Sequence, residues 1–197
     1  AGPSEVEVIA DESANPAFIA ADFLSQAEHG VDSQAMLVTA SESIVEPVMQ
    51  AIREQLDRLP RKEITEKSLS HSRLIVLKDK QEVIDFTNLY APEHLIIQTT
   101  DYADIAGLVE NAGSVFMGPY TPESAGDYAS GTNHTLPTNG YAKAYSGVNL
   151  DSFIKKITFQ EITADGIRLL GGTIRTMAAN EQLDAHKNAV TIRLNTL

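Results

Sequence analysis

Residues 6–39 read VEVIADESANPAFIAADFLSQAEHGVDSQAMLVT and carry the pattern that decides the fold. The short apolar, β-branched runs Val6–Ala10 and Met36–Thr39 each predict a buried strand. Between them, the pair Asn15-Pro16 is typical of a helix N-terminus, and Gly30 indicates where that helix ends. A strand, a helix and a strand in this order predict a βαβ unit and therefore a mainly parallel sheet.

The same alternation continues along the chain as far as about residue 118. Three further helices are expected, at about Glu42–Arg58, Lys80–Leu89 and Tyr102–Asn111. Three further strands are expected, at Leu74–Leu77, Leu95–Gln98 and Ser114–Met117. The polar stretch Pro60–Ser72 is interpreted as a connection between elements. The fold class is therefore α/β, with helices layered on a parallel sheet.

The alternation stops in the segment Pro119–Gly147, which is rich in glycine and holds few periodic apolar positions. A connection of this length in a compact domain is usually either functional or disordered. Its four tyrosines, at 120, 128, 141 and 145, favour an ordered and functional loop.

The C-terminal segment has a different pattern, with a strand-like run at Ile157–Ile162 and helices expected at Ala164–Ala179 and Glu181–His186. It is too small to bury a core of its own. We therefore divide the chain into an α/β portion, residues 1–147, and a small α+β appendage, residues 148–197. The appendage is expected to pack on the main portion or on a second subunit.

Composition narrows the function classes for this chain of 197 residues. The formal net charge of −12 argues against binding to nucleic acid or to an anionic membrane. No apolar run approaches the ~18 residues of a membrane span. The absence of cysteine means that any metal is held by nitrogen and oxygen ligands, and it is consistent with a cytoplasmic protein. These features favour a small-molecule or metal-dependent role.

The first helix has two faces. Gln26 and His29 are three residues apart, so both side chains can point at one spot near the helix C-terminus. Such a pair suits half of a metal site, although a solvated polar face explains the same spacing. The opposite, buried stripe is formed by Ala20, Phe23, Leu24 and Ala27.

A second candidate feature is the segment Tyr90–Ile97, in which Pro92 precedes Glu93 and His94. Proline keeps the residue before it out of helical geometry, so Glu93 and His94 are expected at a turn that enters a strand. Neighbouring carboxyl and imidazole groups suit general acid–base chemistry. The carboxylate is expected to raise the imidazole pKa. The alternative is a turn in which Glu93 caps a backbone amide.

The loop Ser124–His134 is glycine-rich and offers Asp127 and His134 as oxygen and nitrogen donors. An aspartate that caps the loop and a surface histidine are the alternatives. His71 lies in a polar run and is expected to be exposed, without a role.

Glu181 and His186 form a third candidate pair near the C-terminus. Five residues span about 500° of a regular helix, so the two side chains would diverge by about 140°. They can share a ligand only if that ligand is bulky or if the helix ends near His186. Asn188 could supply such an end.

Five segments together resemble the histidinol dehydrogenase family, in order and with natural spacing over the whole chain. The stretch GDYASGTNH is highly specific, and no motif position departs from the family pattern. The five segments are AGPSEV at 1–6, SQAEHGVDSQ at 25–34, APEHL at 91–95, ESAGDYASGTNH at 123–134 and AHKNA at 185–189.

The resemblance implies oxidation of L-histidinol through histidinal to L-histidine, with reduction of two NAD, as the last step of histidine biosynthesis. Zinc would hold the imidazole and amino groups of the substrate. His94 would accept the hydroxyl proton in the first oxidation, and Glu93 would activate water for the second. The implied zinc ligands, which also contact the substrate, are Gln26, His29, Asp127 and His186.

By the same resemblance, Ser4, His134 and Glu181 would contact the substrate together with His94. The appendage would reach across a homodimer, so that Glu181 and His186 serve the partner's site. Family members are about twice as long, and their first half supplies most NAD contacts. This chain is therefore expected to be a truncated fragment, an incomplete Rossmann-like domain with exposed strand edges.

Two other functions remain open from the sequence. The chain by itself could be a catalytically silent fragment that binds metal or ligand, because most NAD contacts would lie elsewhere. A zinc hydrolase could use Glu93 and His94 with a metal-bound water.

Overall fold

The structure is a computed structural model that describes residues 3–197. The chain divides into two compact units, a first that ends at Phe153 and a second that comprises Ile154–Leu197. From the sequence alone the division was placed after Gly147. No helix within residues 3–197 is long and apolar enough to span a lipid bilayer.

The first unit is built on a parallel sheet of five strands in the order β3-β2-β1-β4-β5. The predicted parallel α/β fold is therefore confirmed. In the register, Val6 pairs with Ala35 on one side and with His94 on the other, so β1 is the central strand. The strands are β1 Glu5–Ala10, β2 Gln34–Thr39, β3 Arg73–Val76, β4 His94–Gln98 and β5 Ser114–Met117.

Helices cover both faces of this sheet. The predicted N-terminus of the first helix is confirmed, because the Asn15 side chain accepts a hydrogen bond of 2.9 Å from the amide of Ala17. The helices are α1 Pro16–Ala27, α2 Val45–Leu56, α3 Lys62–Leu69, α4 Lys80–Tyr90, α5 Tyr102–Ala106 and α6 Glu123–Tyr128. Short 3₁₀ helices span Glu42–Ile44, Tyr141–Lys143 and Leu150–Ser152.

Successive residues of β1 face opposite sides of the sheet, as the strand period of two requires. Val6 and Val8 pack in one apolar cluster with Phe23 of α1. Ile9 packs in the other cluster, with Val83 of α4. The expected buried stripe of α1 is confirmed, since Ala20, Phe23, Leu24 and Ala27 are all buried.

Two helices were missed from the sequence, α3 within the polar stretch and α6 within the glycine-rich loop. Both bury polar or very small residues instead of an apolar stripe. In α3 the buried residues are Thr65 and Ser68, and the Ser68 hydroxyl donates to the carbonyl of Ser33 at 2.6 Å. In α6 they are Glu123 and Gly126.

The second unit contains two helices, α7 Ala164–Asn180 and α8 Asp184–Leu194. They pack closely where Gly171 faces Leu194, since a Cβ at that glycine would lie 2.8 Å from Leu194 Cδ1. The chain turns between the helices at Gln182, whose φ is +60°.

Two expectations for this unit were wrong. The run 157–162 forms no strand, because its residues are all exposed and pair with no other strand. The β part of the expected α+β appendage is therefore absent from the described residues. Asn188 does not end a helix either, because α8 continues to Leu194, and the helical break falls between Glu181 and Asp184 instead.

Candidate active site

A cavity of about 590 Å³ lies at the amino edge of the sheet, the edge at which the parallel strands begin. Ser4 directly precedes β1, and Glu93 directly precedes β4. Because β1 and β4 are neighbouring parallel strands, these two residues meet at the same edge. The polar residues that line the cavity are Ser4, His29, Glu93, His94, Glu123, Asp127 and His134.

Two helices bring metal-ligating groups to this cavity. His29 follows the C-terminus of α1, and α6 carries Glu123 and Asp127 one turn apart. One ligand atom from each of these three residues lies within 4.8 Å of the other two. Nitrogen and oxygen donors at this spacing form a candidate centre for a divalent cation.

Gln26 is fully buried, and its amide group lies 3.2 Å from the Glu123 carboxyl group. Asp22, one turn earlier on the same helix, is also buried and accepts a hydrogen bond of 2.8 Å from Gln98 Nε2. The alternative of a solvated face is therefore wrong for Gln26, whereas His29 is exposed.

Glu93 is 6% exposed. Its Oε2 atom accepts from the Ser4 hydroxyl at 2.7 Å and from the Glu5 amide at 3.1 Å. The alternative in which Glu93 caps a backbone amide is thus correct for this oxygen, while Glu93 also lines the cavity. Burial raises the Glu93 pKa to about 7, although the hydrogen bonds from Ser4 and Glu5 oppose the shift.

The neighbours of His94 define its tautomer. Its Nδ1 lies 3.1 Å from the backbone carbonyl oxygen of Glu5. A carbonyl oxygen only accepts, so Nδ1 carries the proton and Nε2 is the basic nitrogen of the neutral ring. That Nε2 is buried and has no hydrogen-bond partner in the described part of the chain. It lies 3.9 Å from Glu123 Oε1.

The expected rise of the His94 pKa is wrong. Burial disfavours the imidazolium and lowers the pKa, and this effect outweighs the opposing contributions of the Glu5 carbonyl and of Asp127. His94 is therefore held as a neutral base in this structure.

Glu123 is a site residue that sequence reasoning missed. It is 2% exposed, and its Oε1 lies 3.8 Å from His29 Nε2. Burial raises its pKa to about 8, and the charges of Asp127, Glu93 and Asp22 add to the shift. The spacing of four residues between Glu123 and Asp127 was the available signal, because it places both carboxyl groups on one side of a helical turn.

The remaining predicted residues lie in different surroundings. His134 is exposed and lines the same cavity. Glu181 and His186 belong to the second unit, where both are exposed. Their roles in binding zinc and substrate stay predictions. His71 is half-buried, not exposed as expected, and its carbonyl accepts from Gln34 Nε2 at 3.0 Å.

The donors of the centre fit zinc chemically. Zinc bonds of about 2.0–2.2 Å in a tetrahedron place neighbouring ligand atoms about 3.4 Å apart. His29 and Asp127, two of the ligands that the resemblance implies, present donor atoms within 4.8 Å of each other. Small side-chain movements would bring these donors to zinc-binding distance.

The fold and the cavity together define a parallel α/β protein with a metal-compatible centre beside a carboxyl–imidazole pair. The family model for histidinol dehydrogenase matches residues 1–194. This chain belongs to the histidinol dehydrogenase family.

Individual relatives agree with this assignment. Histidinol dehydrogenase of Bacteroides thetaiotaomicron is 68% identical over 197 residues, which are 100% of this chain and 46% of that protein. A chloroplastic histidinol dehydrogenase of Arabidopsis thaliana is 59% identical, over 100% of this chain and 42% of that protein. The crystal structure of histidinol dehydrogenase from Elizabethkingia anophelis matches with a TM-score of 0.95 and 57% identity, over 100% of this chain and 45% of that one. The chain thus spans less than half the length of these relatives.

Proposed function

We propose that this chain supplies the metal and substrate site of an enzyme that oxidises L-histidinol through histidinal to L-histidine, with zinc bound and two NAD reduced. The observation that carries the proposal is the convergence of His29, Asp127, Glu93 and His94 on one cavity, in a chain of this family. The full-length protein, meaning a chain of the length of its relatives, is where we expect the activity.

His94 is the proton acceptor of the first oxidation. Conversion of an alcohol to an aldehyde removes a hydride from carbon and a proton from the hydroxyl group. His94 Nε2 is suited to take that proton, because its tautomer leaves a lone pair there and the atom has no other partner among residues 3–197. The Glu123 carboxyl group, 3.9 Å away, would stabilise the imidazolium that forms, because a nearby positive charge favours ionisation of the carboxyl group.

Glu93 serves the second oxidation, in which water must add to the aldehyde before the second hydride leaves. Its Oε2 is held by Ser4 and by the Glu5 amide, so the carboxyl group is fixed in orientation. With a pKa of about 7, this group is close to the balance between acid and base at neutral pH, which suits a general base.

His29, Asp127 and Gln26 would hold zinc in this chain. Bound zinc supplies a positive charge that orients the imidazole and amino groups of the substrate, and NAD supplies the hydride acceptor. We propose His186 as the fourth ligand and Glu181 as a substrate contact, both contributed by the partner in a homodimer. Ser4 and His134 would contact the substrate at the mouth of the cavity.

An assay of the full-length protein with L-histidinol and NAD tests the proposal. Two NADH should form for each histidinol consumed, and histidine should be the final product. No turnover of histidinol under conditions in which zinc is bound would disprove the proposed reaction.

The coverage of 46% of a relative favours a second possibility for the isolated chain, that it binds metal or ligand without turnover. The 197-residue chain should be incubated with histidinol, zinc and NAD. Steady production of NADH would contradict the silent-fragment alternative. NAD-independent hydrolysis of amides that carry an imidazole group would instead favour the zinc hydrolase.

A further inference from the structure

Besides His29 and His94, Glu123 has a third neighbour in the site, Gln26. When the Gln26 amide nitrogen faces Glu123, it lies 3.2 Å from Oε1 and 3.2 Å from Oε2. The amide oxygen then faces the Ser4 hydroxyl at 3.1 Å. Ser4 and Glu123 both line the cavity, and Gln26 and Glu123 are both almost fully buried.

A cation bound in the cavity would favour the ionised form of Glu123, and the charge of that form decides between the two orientations of this amide. A carboxylate accepts hydrogen bonds and donates none, so it attracts the amide N–H groups and repels the amide oxygen. The amide oxygen of Gln26, at the opposite end, is less constrained. Ser4 has one hydroxyl proton, and the Oε2 of Glu93 is the closer acceptor at 2.7 Å. The Gln26 oxygen therefore keeps lone pairs for a cation.

The position of Glu123 is itself restricted by the packing of α6. Gly126 lies so close to Phe116 of β5 that a Cβ there would be 2.7 Å from the ring. This contact holds the short helix against the sheet. The carboxylate at its start is thereby held beside α1, within reach of Gln26.

We propose that Glu123 is a positioning residue for the metal centre, because it fixes the Gln26 amide with its oxygen towards the cavity. This inference rests on the proposed function, in which Gln26 is a zinc ligand. Partners that orient a ligand commonly change metal affinity by 10- to 100-fold when they are removed.

The first test is Glu123→Gln in the full-length protein, which keeps the shape of the side chain and removes the charge. Zinc affinity, measured by competition with a chromophoric chelator, should fall by about 10- to 100-fold. The matched control is Glu7→Gln, the same substitution at a fully buried glutamate that contacts Thr87 of α4. The control should bind zinc as the parent protein does. An unchanged zinc affinity in Glu123→Gln would overturn the inference.

A double-mutant cycle with Gln26→Met separates positioning from direct ligation. If Glu123 acts through Gln26, then Glu123→Gln should weaken zinc little further once Gln26 is replaced. An equally large loss in the Gln26→Met background would show that Glu123 acts on the metal directly, and would refute the positioning role.

The unfolding midpoint of the apo-protein would reveal whether Glu123→Gln folds poorly. In that event Ser4→Ala provides a second test. The Ser4 hydroxyl has Glu93 Oε2 as its closer acceptor, at 2.7 Å against 3.1 Å for the Gln26 oxygen, so Ser4 holds the amide only weakly. Ser4→Ala should therefore bind zinc within a few-fold of the parent protein. A loss as large as the 10- to 100-fold expected for Glu123→Gln would contradict the inference. Failure of the parent protein to bind zinc would instead refute the proposed function.

Discussion

At the carboxyl edge of the sheet, where the strands end, the carboxyl groups of Asp11 and Asp101 have polar partners. Asp11 follows β1, and its Oδ2 accepts from the amide and the hydroxyl of Thr100 at 3.0 and 3.2 Å. Partial burial opposes ionisation of Asp11, but hydrogen bonds from Ser13 and Thr100 outweigh it and lower the pKa. Nearby, Lys80 pairs with Asp101 at 2.8 Å.

At the amino edge, burial outweighs hydrogen bonding in its effect on the pKa values. Burial has the largest influence on the pKa values of Glu93, His94 and Glu123, and in each group it favours the neutral form. The Glu93 and Glu123 carboxyl groups each lie 3.9 Å from a ring nitrogen of His94. Parallel α/β sheets commonly bind ligands at the carboxyl ends of their strands. Here the groups of the cavity whose pKa values are shifted by burial lie at the amino edge, and pKa shifts of this kind are typical of functional sites.

The largest effect that tests this contrast is expected for His94→Ala. Loss of a general base typically slows a reaction by 10²- to 10⁴-fold, and we expect the first oxidation to slow by about 10³-fold. Zinc affinity should change far less, because His94 is not one of the proposed zinc ligands. Pre-steady-state NADH formation and metal content in the full-length protein measure the two effects. Equal losses of rate and of metal would contradict the assignment.

Glu93→Gln is expected to act on the second oxidation. The amide keeps the hydrogen bond from Ser4 but cannot activate water, so this step should slow by about 10²-fold while the first proceeds. Histidinal should accumulate, and trapping with an aldehyde reagent would detect it. If both oxidations slowed alike, Glu93 would not be specific to the second.

The sheet and its order of elements were predictable from sequence, because buried parallel strands such as β1 and β4 are short apolar runs. The helices α3 and α6 were not, since their buried positions are Thr65, Ser68, Glu123 and Gly126. Periodicity detects apolar stripes and cannot detect a helix that is held by polar contacts.

The candidate site was predictable only in part. The motifs indicated Glu93, His94 and Asp127 by residue type. The direction of the His94 pKa was not predictable, because it depends on how deeply the ring is buried. Glu123 was missed for a related reason: its contacts with Gln26 and His29 join segments far apart in sequence.

Glu7 provides a buried carboxyl group that belongs to neither edge. Burial raises its pKa to about 8 from the ordinary value of 4.5. Since the folded-state pKa is the higher one, the associated stability is complete below about pH 4.5 and is lost as the pH rises through about 8. Between pH 5 and pH 7 the parent protein should lose about 2 kcal/mol of unfolding free energy relative to Glu7→Gln. Urea unfolding at both pH values measures this, and parallel curves for the two proteins would contradict it.

The smallest effect is expected at the carboxyl edge, for Asp11→Ala. This substitution removes the acceptor for the Thr100 amide and for the Ser13 amide, which lies 2.9 Å from Oδ1. Loss of these hydrogen bonds costs about 1 kcal/mol of unfolding free energy. Because Asp11 lies at the opposite edge from the proposed zinc and catalytic residues, zinc affinity and turnover should be unchanged at a pH where the protein is stable. A loss of zinc binding in this variant would show that the two edges are coupled, and the contrast between them would then fail as a guide to the site.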